Sequence, residues 1–291
     1  MVLKIWGTRG SVPVPGEGTK KYGGNTPCIE VISGSDEEAI IVDAGTGIRE
    51  LGNKITENPN DFKRINILLS HTHWDHIQGM PFFAPLYNEK FVVDIYSYSY
   101  NGYGLDHFID AQMRPEFFPV NKAIFKANVT YKKLIKNEDI QLGGVQISSV
   151  ATHHSRGTLA FRLNKNGKSI VYMTDNEVLY NEENGQPKLE DVLNRNKELL
   201  KFCSGCDYLI HDTMYKLDDF SDKMGWGHSN NIAAALFASA AKAKNLILFH
   251  YSPEYNDEKI DELFHETEKF IAVNNLDINC LPSHEGLEIK L

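Results

Sequence analysis

The sequence predicts one α/β domain with β-strands in the middle and helices outside. Three observations support this class. Short apolar runs typical of buried strands recur along the chain, three later segments have helical periodicity, and no linker-like composition divides the 291 residues. A chain of this length in which 42% of the residues are hydrophobic can bury one large core. We therefore expect residues 1–291 to form a single domain.

Strands are expected where short runs rich in β-branched and aromatic residues lie between turn residues. In chain order the predicted strands are Leu3–Trp6, Cys28–Ser33, Ala39–Val42, Ile65–Ser70, Phe91–Tyr96, Val129–Lys133, Val145–Val150, Thr158–Leu163, Ser169–Met173, Tyr208–Ile210, Leu246–Phe249 and Leu287–Lys290. The fourth, Ile65–Ser70, is an apolar run suited to a strand that is buried on both faces.

Helices are predicted at three places in the second half of the chain. Glu190–Phe202 and Asp257–Val273 have helical periodicity, and Asn230–Lys244 is rich in alanine with Ser229 as its N-cap. Residues 104–125 interrupt the strand pattern with aromatic, Met and Pro residues. We interpret this stretch as a helical insertion that overhangs the site as a lid.

The balance of charge disfavours long nucleic acid as a partner, because the chain has a net charge of −9 and a pI near 5.7. A small anionic substrate remains compatible, since bound divalent cations invert the local potential. The N-terminus has no signal-peptide pattern, and no apolar run approaches the roughly 18 residues of a membrane span. We expect a cytoplasmic protein that does not cross a membrane.

A cluster of metal-ligand residues follows the fourth predicted strand. His71-Thr72-His73-Trp74-Asp75-His76 places three imidazoles and one carboxylate within six residues. In a loop that leaves a strand, this spacing can aim His71 and His73 at one metal ion and Asp75 and His76 at a neighbour. Imidazole nitrogen together with carboxylate oxygen suits borderline divalent metals. The cluster therefore predicts a metal-dependent hydrolase.

Three further residues of ligand type lie just past the carboxyl ends of predicted strands, namely His154, Asp175 and His250. Open α/β architectures place ligand-binding residues at this position, because the strand ends converge at one edge of the sheet. The repetition of this pattern indicates that these residues join the cluster in a site for two metal ions.

The chain resembles the metallo-β-lactamase superfamily over essentially its whole length. The resemblance lies in the cluster His71 to His76 after a strand, followed in order by His154, Asp175 and His250. The resemblance implies a four-layer αβ/βα sandwich with two mixed β-sheets and the site along one edge. It also implies that one metal is held by His71, His73 and His154, the other by Asp75, His76 and His250, with Asp175 bridging both. His153 stays open as the alternative to its neighbour His154.

Further motifs indicate the branch of the superfamily. Asp43 matches an acidic position that supports the metal loop without binding metal. Aspartate rather than cysteine at position 175 is typical of glyoxalase II, ribonuclease Z and phosphodiesterase relatives. His211-Asp212-Thr213 and Gly227-His228-Ser229 resemble two elements of ribonuclease Z-like proteins, the second of which supplies a histidine that assists catalysis. The resemblance implies that His211 and Asp212 support the site, and that His228, beside a helix N-terminus, meets a phosphoryl oxygen.

The substrate that these motifs predict is a small phosphodiester. Residues 7–13, 21–28 and 76–83 look like a ribonuclease Z-related group of bacterial phosphodiesterases that includes enzymes of cyclic nucleotides. His154 and Asp175 are only 21 residues apart, without the Gly/Pro-rich arm that ribonuclease Z often carries there to grasp tRNA. A 3′,5′-cyclic nucleotide is therefore favoured over RNA, and a ribonuclease Z-like RNA endonuclease is the alternative.

Candidate substrate contacts lie in the predicted insertion. Met113, Phe117 and Phe118 can stack on a base, or can pack the lid on the sheet or on another subunit. Arg114 can contact a phosphate or form an ordinary surface ion pair. A homodimer is the arrangement that the ribonuclease Z-like relatives imply.

The resemblance also implies a mechanism that uses two divalent ions, either Zn or Mn, with Fe as a further option. A water shared by the ions loses its proton with a pKa of about 7 for zinc, and the hydroxide attacks phosphorus. Asp75 orients the nucleophile or accepts its proton, while His228 stabilises the transition state or protonates the leaving alkoxide. We expect the cations and the helix end to lower the pKa of His228. An iron-dependent redox enzyme on the same fold is the rival class.

Overall fold

Two seven-stranded β-sheets face each other in the computed structural model, which describes residues 1–34, 38–58, 62–98, 106–135, 138–181 and 186–291. The first sheet contains β1 (Val2–Gly7), β2 (Cys28–Ile32), β3 (Glu38–Val42), β4 (Arg64–Leu68), β5 (Val92–Tyr98), β6 (Asn128–Leu134) and β14 (Glu288–Lys290). Its strand order is β14-β1-β2-β3-β4-β5-β6, and the pairs from β3 to β6 are parallel while the others are antiparallel.

The second sheet repeats this mixed pattern. It contains β7 (Ile140–Leu142), β8 (Val145–Ala151), β9 (Leu159–Lys165), β10 (Lys168–Met173), β11 (Tyr208–Asp212), β12 (Asn245–Phe249) and β13 (Asn279–Pro282). Its strand order is β13-β12-β11-β10-β9-β8-β7, and the pairs from β10 to β13 are parallel. The prediction of two mixed sheets is confirmed.

Helices cover the outer face of each sheet. They are α1 (Ile48–Glu57), α2 (Trp74–Ile77), α3 (Asp106–Gln112), α4 (Leu189–Arg195), α5 (Lys197–Cys203), α6 (Asn231–Ala240) and α7 (Asp257–Val273). Short 3-10 helices occupy Glu17–Thr19, Met80–Phe82, Ala84–Tyr87, Lys122–Ile124 and Leu217–Asp219. Among the described residues, none of the helices combines the length and the hydropathy needed to cross a bilayer.

The two sheets and the helices outside each of them form four layers of secondary structure. Three clusters of apolar side chains lie between these layers and hold them together. Side chains such as Ile5 and Phe161 fill the space between the sheets. A second cluster joins the first sheet to α1, and a third joins the second sheet to α4 through α7. Strand β4 contributes to two of them, because Ile67 packs toward α1 and Leu68 toward the opposite sheet. This two-sided burial explains the apolar sequence of β4.

Two details of the predicted helices are wrong. The helix predicted over Glu190–Phe202 is broken at Asn196, whose side chain bonds the backbone of Leu179 and the carbonyl of Val192. The N-cap of α6 is Asn230 rather than Ser229, since the Asn230 side chain accepts from the Ala233 amide. Ser229 instead uses its hydroxyl to join two loops near the second sheet.

The sequence also concealed several elements. Helix α1 was not predicted. Strands β7 and β13, which have three and four residues, were not predicted either. In the predicted insertion, only α3 and Lys122–Ile124 are helical, and residues 104 and 105 lie outside the described residues. The side-chain Nε2 of Gln112 donates to the Ile77 carbonyl at 2.9 Å, so α3 is anchored to α2.

Candidate metal centre

The candidate ligands lie at the carboxyl ends of strands from both sheets. His71 and His73 follow β4, and α2 begins directly afterwards, so Asp75 and His76 occupy its first turn. The remaining candidates follow β8, β10 and β12; they are His154, Asp175 and His250. The strand-end pattern therefore brings together all seven candidate ligands at one edge of the sandwich.

Left-handed backbone at three strand ends turns polar side chains into this edge. Asp43, Asp175 and His250 have φ angles of 62°, 46° and 64°. Such angles are uncommon for residues other than glycine and concentrate at functional sites. All three side chains are buried, with 0–1% of their surface exposed.

The first group of candidate ligands contains His71, His73, His154 and Asp175, whose ligand atoms lie within 4.8 Å of one another. His154 Nε2 is 3.0 Å from His73 Nδ1. The Oδ2 atom of Asp175 lies 3.4 Å from His154 Nε2 and 3.5 Å from His71 Nε2. This spacing leaves room for one ion among the four donors.

The second group contains Asp75, His76 and His250, and it meets the other oxygen of Asp175. Asp175 Oδ1 is 3.1 Å from His76 Nε2 and 3.2 Å from His250 Nε2. Asp75 Oδ2 lies 3.1 Å from His250 Nε2. The two carboxylate oxygens of Asp175 therefore face different groups, as a bridging ligand requires.

The donor set fits cations rather than a network of protein hydrogen bonds. His71 Nε2 is buried and finds no hydrogen-bond partner among the described residues. Burial lowers the pKa of His71 and of His154, which leaves neutral imidazoles with lone pairs. Burial also opposes a charge on His76, yet Asp75, Asp175 and a third carboxylate outweigh it and raise its pKa. Nearby cations would thus stabilise these buried carboxylates, and the residues fit a binuclear metal centre.

Asp43 orients the metal-facing histidine His76. Its Oδ2 accepts from His76 Nδ1 at 2.8 Å, from the Tyr172 hydroxyl at 2.8 Å and from the Ser70 hydroxyl at 2.9 Å. Its Oδ1 accepts from the Ser70 amide at 2.7 Å. Because Nδ1 carries the proton of this bond, Nε2 of His76 is free to face Asp175.

His154, and not its neighbour His153, belongs to the cluster. His154 Nδ1 donates to the Gly227 carbonyl at 2.9 Å, which leaves its Nε2 as a lone-pair donor beside His73. The His153 ring instead has its Nδ1 3.3 Å from the Glu177 carbonyl. The geometry therefore favours the assignment of His154 over the alternative that the sequence left open.

Asp212 holds His228 over the second group. Asp212 Oδ2 accepts from His228 Nδ1 at 2.7 Å, and its Oδ1 accepts from the amides of Met214 and Ser229 at 3.0 and 3.1 Å. The His228 ring stacks on His250 with centroids 5.2 Å apart and an angle of 17°. Since Nδ1 is occupied, Nε2 is the nitrogen that His228 can present to a substrate.

The Asp212 carboxylate favours the protonated form of His228 in the protein without bound cations. Burial lowers the pKa of His228, but the adjacent Asp212 carboxylate outweighs burial and raises it to about 9.

His211, which precedes Asp212 in the chain, lies away from the metal ligands. It is buried, and its ring contacts the Asp212 carbonyl at 2.7 Å and Asn176 at 3.3 Å. His211 therefore supports the segment next to Asp175 rather than facing the metal ligands.

The N-terminal loop after β1 completes the site, although its residues were not among the predicted site residues. The Ser11 amide donates to Asp75 Oδ2 at 2.8 Å. Arg9 is fully buried and donates to the carbonyls of Gly23 and Tyr255 at 2.7 and 2.5 Å. Gly10 abuts the His250 ring so closely that an added Cβ would lie 2.7 Å from its Cε1.

We expect Gly10→Ala to displace His250 and to weaken metal binding in the second group. Displacement of a ligand by about 1 Å can lower activity about a hundredfold. The measurement is metal content per chain after reconstitution, together with the hydrolysis rate. Gly16→Ala is the matched control, because Gly16 has no atom within 4 Å of its added Cβ. Equal behaviour of the two variants would contradict the assigned contact.

Glu177 anchors the loop that carries His228, which the sequence did not reveal. Its two carboxylate oxygens accept from the amides of Gly225 and Gly227 at 2.9 and 2.8 Å. Glu177 lies two residues after Asp175, so one segment serves both the candidate bridge and the His228 loop. Gly227 has a φ of 83°, and an added Cβ there would lie 2.3 Å from His154 Nδ1.

Gly227→Ala should therefore disturb the first group through His154. Gly225→Ala is a matched control, because Gly225 has a similar φ of 80° but open space around an added Cβ. Both substitutions place alanine in left-handed backbone at a cost of about 1–3 kcal/mol. We expect both variants to lose thermal stability, Gly227→Ala the more because of its contact with His154, but loss of metal and activity from Gly227→Ala alone. Loss of metal from both variants would rule out the specific contact with His154.

The candidate substrate contacts in the insertion differ in accessibility. Met113 is only 1% exposed and packs in the apolar layer beneath α3, so its interpretation as a base-stacking residue is corrected. Phe118 is partly buried and packs edge-on against Phe82 with centroids 5.5 Å apart. Phe117 is 75% exposed, and Arg114 is exposed as well. Met113 thus follows the packing alternative, while Phe117 and Arg114 remain accessible.

The sequence profile of the β-lactamase superfamily domain matches residues 38–251, a range that contains all seven candidate ligands. The chain belongs to the metallo-β-lactamase superfamily. Within this superfamily it lies in the ribonuclease Z-like branch. A ribonuclease Z from Picrophilus torridus is 26% identical over 286 residues, covering 88% of this chain and 87% of that protein.

Two solved structures confirm the fold. The metallo-β-lactamase fold protein YhfI from Bacillus subtilis superposes with a TM-score of 0.70 at 18% identity, covering 99% of this chain and 98% of that one. Yeast PDE1 superposes with a TM-score of 0.66 at 17% identity, covering 100% of this chain and 99% of that one. The four-layer αβ/βα sandwich implied by the resemblance is therefore correct.

Proposed function

We propose that the chain is a binuclear metal-dependent phosphodiesterase that hydrolyses a small phosphodiester. The observation that carries this proposal is the arrangement around Asp175, whose two oxygens face two separate groups of histidines. His228, held by Asp212, lies beside them as a donor for a phosphoryl or leaving oxygen. Metal ligands paired with an oriented histidine suit the hydrolysis of a phosphate ester.

His71, His73 and His154 would hold one divalent cation, Asp75, His76 and His250 the other, with Asp175 between them. Such cations lower the pKa of a bound water and offset the charge on phosphoryl oxygens. These histidine and aspartate donors accept zinc, manganese or iron. We propose zinc or manganese for this chain.

The residues of the chain carry the protons of the reaction. Asp75 accepts the proton of the attacking water, whose oxygen forms the new bond to phosphorus. The Ser11 amide keeps Asp75 in place at 2.8 Å. His228 donates its Nε2 proton to the leaving oxygen as the bond from phosphorus to that oxygen breaks. Exchange with solvent then restores both side chains.

The substrate we favour is a 3′,5′-cyclic nucleotide. The net charge of −9 supports a small substrate over a long polyanion, because a net negative protein repels a phosphate backbone. RNA cleavage is the second candidate function, and the likeness to the ribonuclease Z of Picrophilus torridus favours it. Both reactions hydrolyse a phosphodiester at the same centre.

A substrate panel tests this proposal. The substrates are bis-p-nitrophenyl phosphate, cyclic AMP, cyclic GMP and precursor tRNA, each with Mn²⁺ or Zn²⁺. We expect hydrolysis of the aryl diester and of at least one cyclic nucleotide. Rapid processing of tRNA with inert cyclic nucleotides would reverse the order of the two candidates. One iron per chain with negligible diester hydrolysis would favour the redox rival.

A further inference from the structure

A small cavity of about 190 Å³ adjoins the first group of candidate ligands. His71 and His73 form the wall that it shares with the metal centre. The other walls come from the loop after β8, represented by Ser155 and Arg156, and from the end of β5. The cavity is smaller than the roughly 300–1,000 Å³ of pockets for drug-sized ligands. It therefore accommodates one substituent of a phosphodiester rather than a whole substrate.

The walls of this cavity are rich in hydroxyl groups. Thr72, Ser97, Tyr98 and Ser155 contribute them, and apart from the histidines Tyr98 is the one aromatic residue among the described residues that line the cavity. Hydroxyl groups both donate and accept hydrogen bonds, so these walls suit a ligand that carries hydroxyl groups of its own. A nucleobase has a broad apolar face, and of the described lining residues only Tyr98 and the histidines offer it a ring to stack on.

Arg156 adds an uncommitted cation at the rim. It lies two residues after His154, is exposed, and forms no ion pair with any described residue. A guanidinium offers five N–H donors and no acceptor, so it needs oxygen atoms from its ligand. In a chain of net charge −9, an unpaired arginine beside a centre for an anionic substrate is well placed to contact that substrate.

We propose that this cavity binds the sugar of the phosphodiester, with Arg156 donating to the sugar oxygens. The proposal rests on the proposed function. His228 does not line the cavity, so the cavity holds the substituent that stays on phosphorus while His228 faces the leaving oxygen. In a 3′,5′-cyclic nucleotide the ribose carries both ester oxygens and also remains attached after ring opening. Arg156 is thus a specificity-determining residue.

Equilibrium binding provides a test without turnover. Ribose 5-phosphate and inorganic phosphate are titrated calorimetrically into the Mn²⁺-loaded full chain and into its Arg156→Ala variant. We expect the substitution to weaken ribose 5-phosphate binding about tenfold, the lower end of the loss for a hydrogen bond to a charged group, and inorganic phosphate binding less than twofold. Arg195→Ala, which removes an exposed arginine on α4, should change neither. Equal weakening of both ligands, or of neither, would overturn the proposal.

Hydrolysis separates failure of this proposal from failure of the proposed function. We expect Arg156→Ala to slow cleavage of p-nitrophenyl thymidine 5′-phosphate more than cleavage of bis-p-nitrophenyl phosphate, which has no sugar. Equal effects on both diesters would reject the sugar cavity and keep the phosphodiesterase. If the unmodified protein cleaves neither diester, the proposed function fails, and the binding experiment still decides whether Arg156 contacts the sugar.

Discussion

Asp175→Ala should abolish metal binding and activity together. Both oxygens of Asp175 face candidate ligands, and its side chain is 1% exposed, so the substitution removes a buried anionic oxygen from each group. Loss of two-metal charge stabilisation removes several kcal/mol from the transition state, which lowers the rate by about a thousandfold or more. Metal content is measured by plasma mass spectrometry and activity with bis-p-nitrophenyl phosphate.

Two companion variants keep this result interpretable. Asp175→Asn preserves the volume of the side chain but removes its charge, so it should also lose metal while it keeps the fold. Asp218→Ala removes an exposed carboxylate that is not a candidate ligand, so this variant should keep both metals and full activity. Circular dichroism verifies that each variant is folded. Two metals per chain retained in a folded Asp175→Ala protein would contradict the assigned bridge.

His228→Ala should lower kcat by about a hundredfold to ten-thousandfold, the usual contribution of a positioned acid or base, while metal content is unchanged. Asp212 acts through His228, because its Oδ2 bonds His228 Nδ1 at 2.7 Å. Asp212→Asn should therefore lower kcat as well, and the double variant should be no slower than His228→Ala alone. Additive losses would show that Asp212 acts independently of His228.

The leaving group provides a second readout for His228. A p-nitrophenolate ion leaves without a proton, whereas a sugar alkoxide needs one. His228→Ala should therefore slow an alkyl diester more than bis-p-nitrophenyl phosphate. His265→Ala, which removes an exposed histidine of α7, serves as the control and should slow neither. Equal slowing of both diesters by His228→Ala would indicate transition-state stabilisation instead of proton donation.

The candidate ligands could be predicted from the sequence because each follows a buried strand. His154, Asp175 and His250 are far apart in the chain, yet parallel and antiparallel pairing brings their strand ends to one edge. The strands themselves were recognisable because burial on both faces demands continuous apolar runs, as in β4. The fold class and the gathering of these ligands thus follow from local patterns.

The support of the site could not be predicted in the same way, because it depends on contacts between distant loops. Ser11 and Asp75 are 64 residues apart, and Glu177 lies about 50 residues before the glycines that it anchors. No periodicity encodes such pairs. Met113 shows the same limit. Its residue type alone does not reveal whether the side chain faces a ligand or, as found, the apolar core.

Metal titration of the metal-free protein, followed by hydrolysis of bis-p-nitrophenyl phosphate, tests the central claim most directly. If Asp175 joins two ion sites, the rate should rise with added Mn²⁺ or Zn²⁺ until two equivalents per chain are bound, and then remain constant. Saturation at one equivalent, or two bound ions without diester hydrolysis, would contradict the binuclear phosphodiesterase.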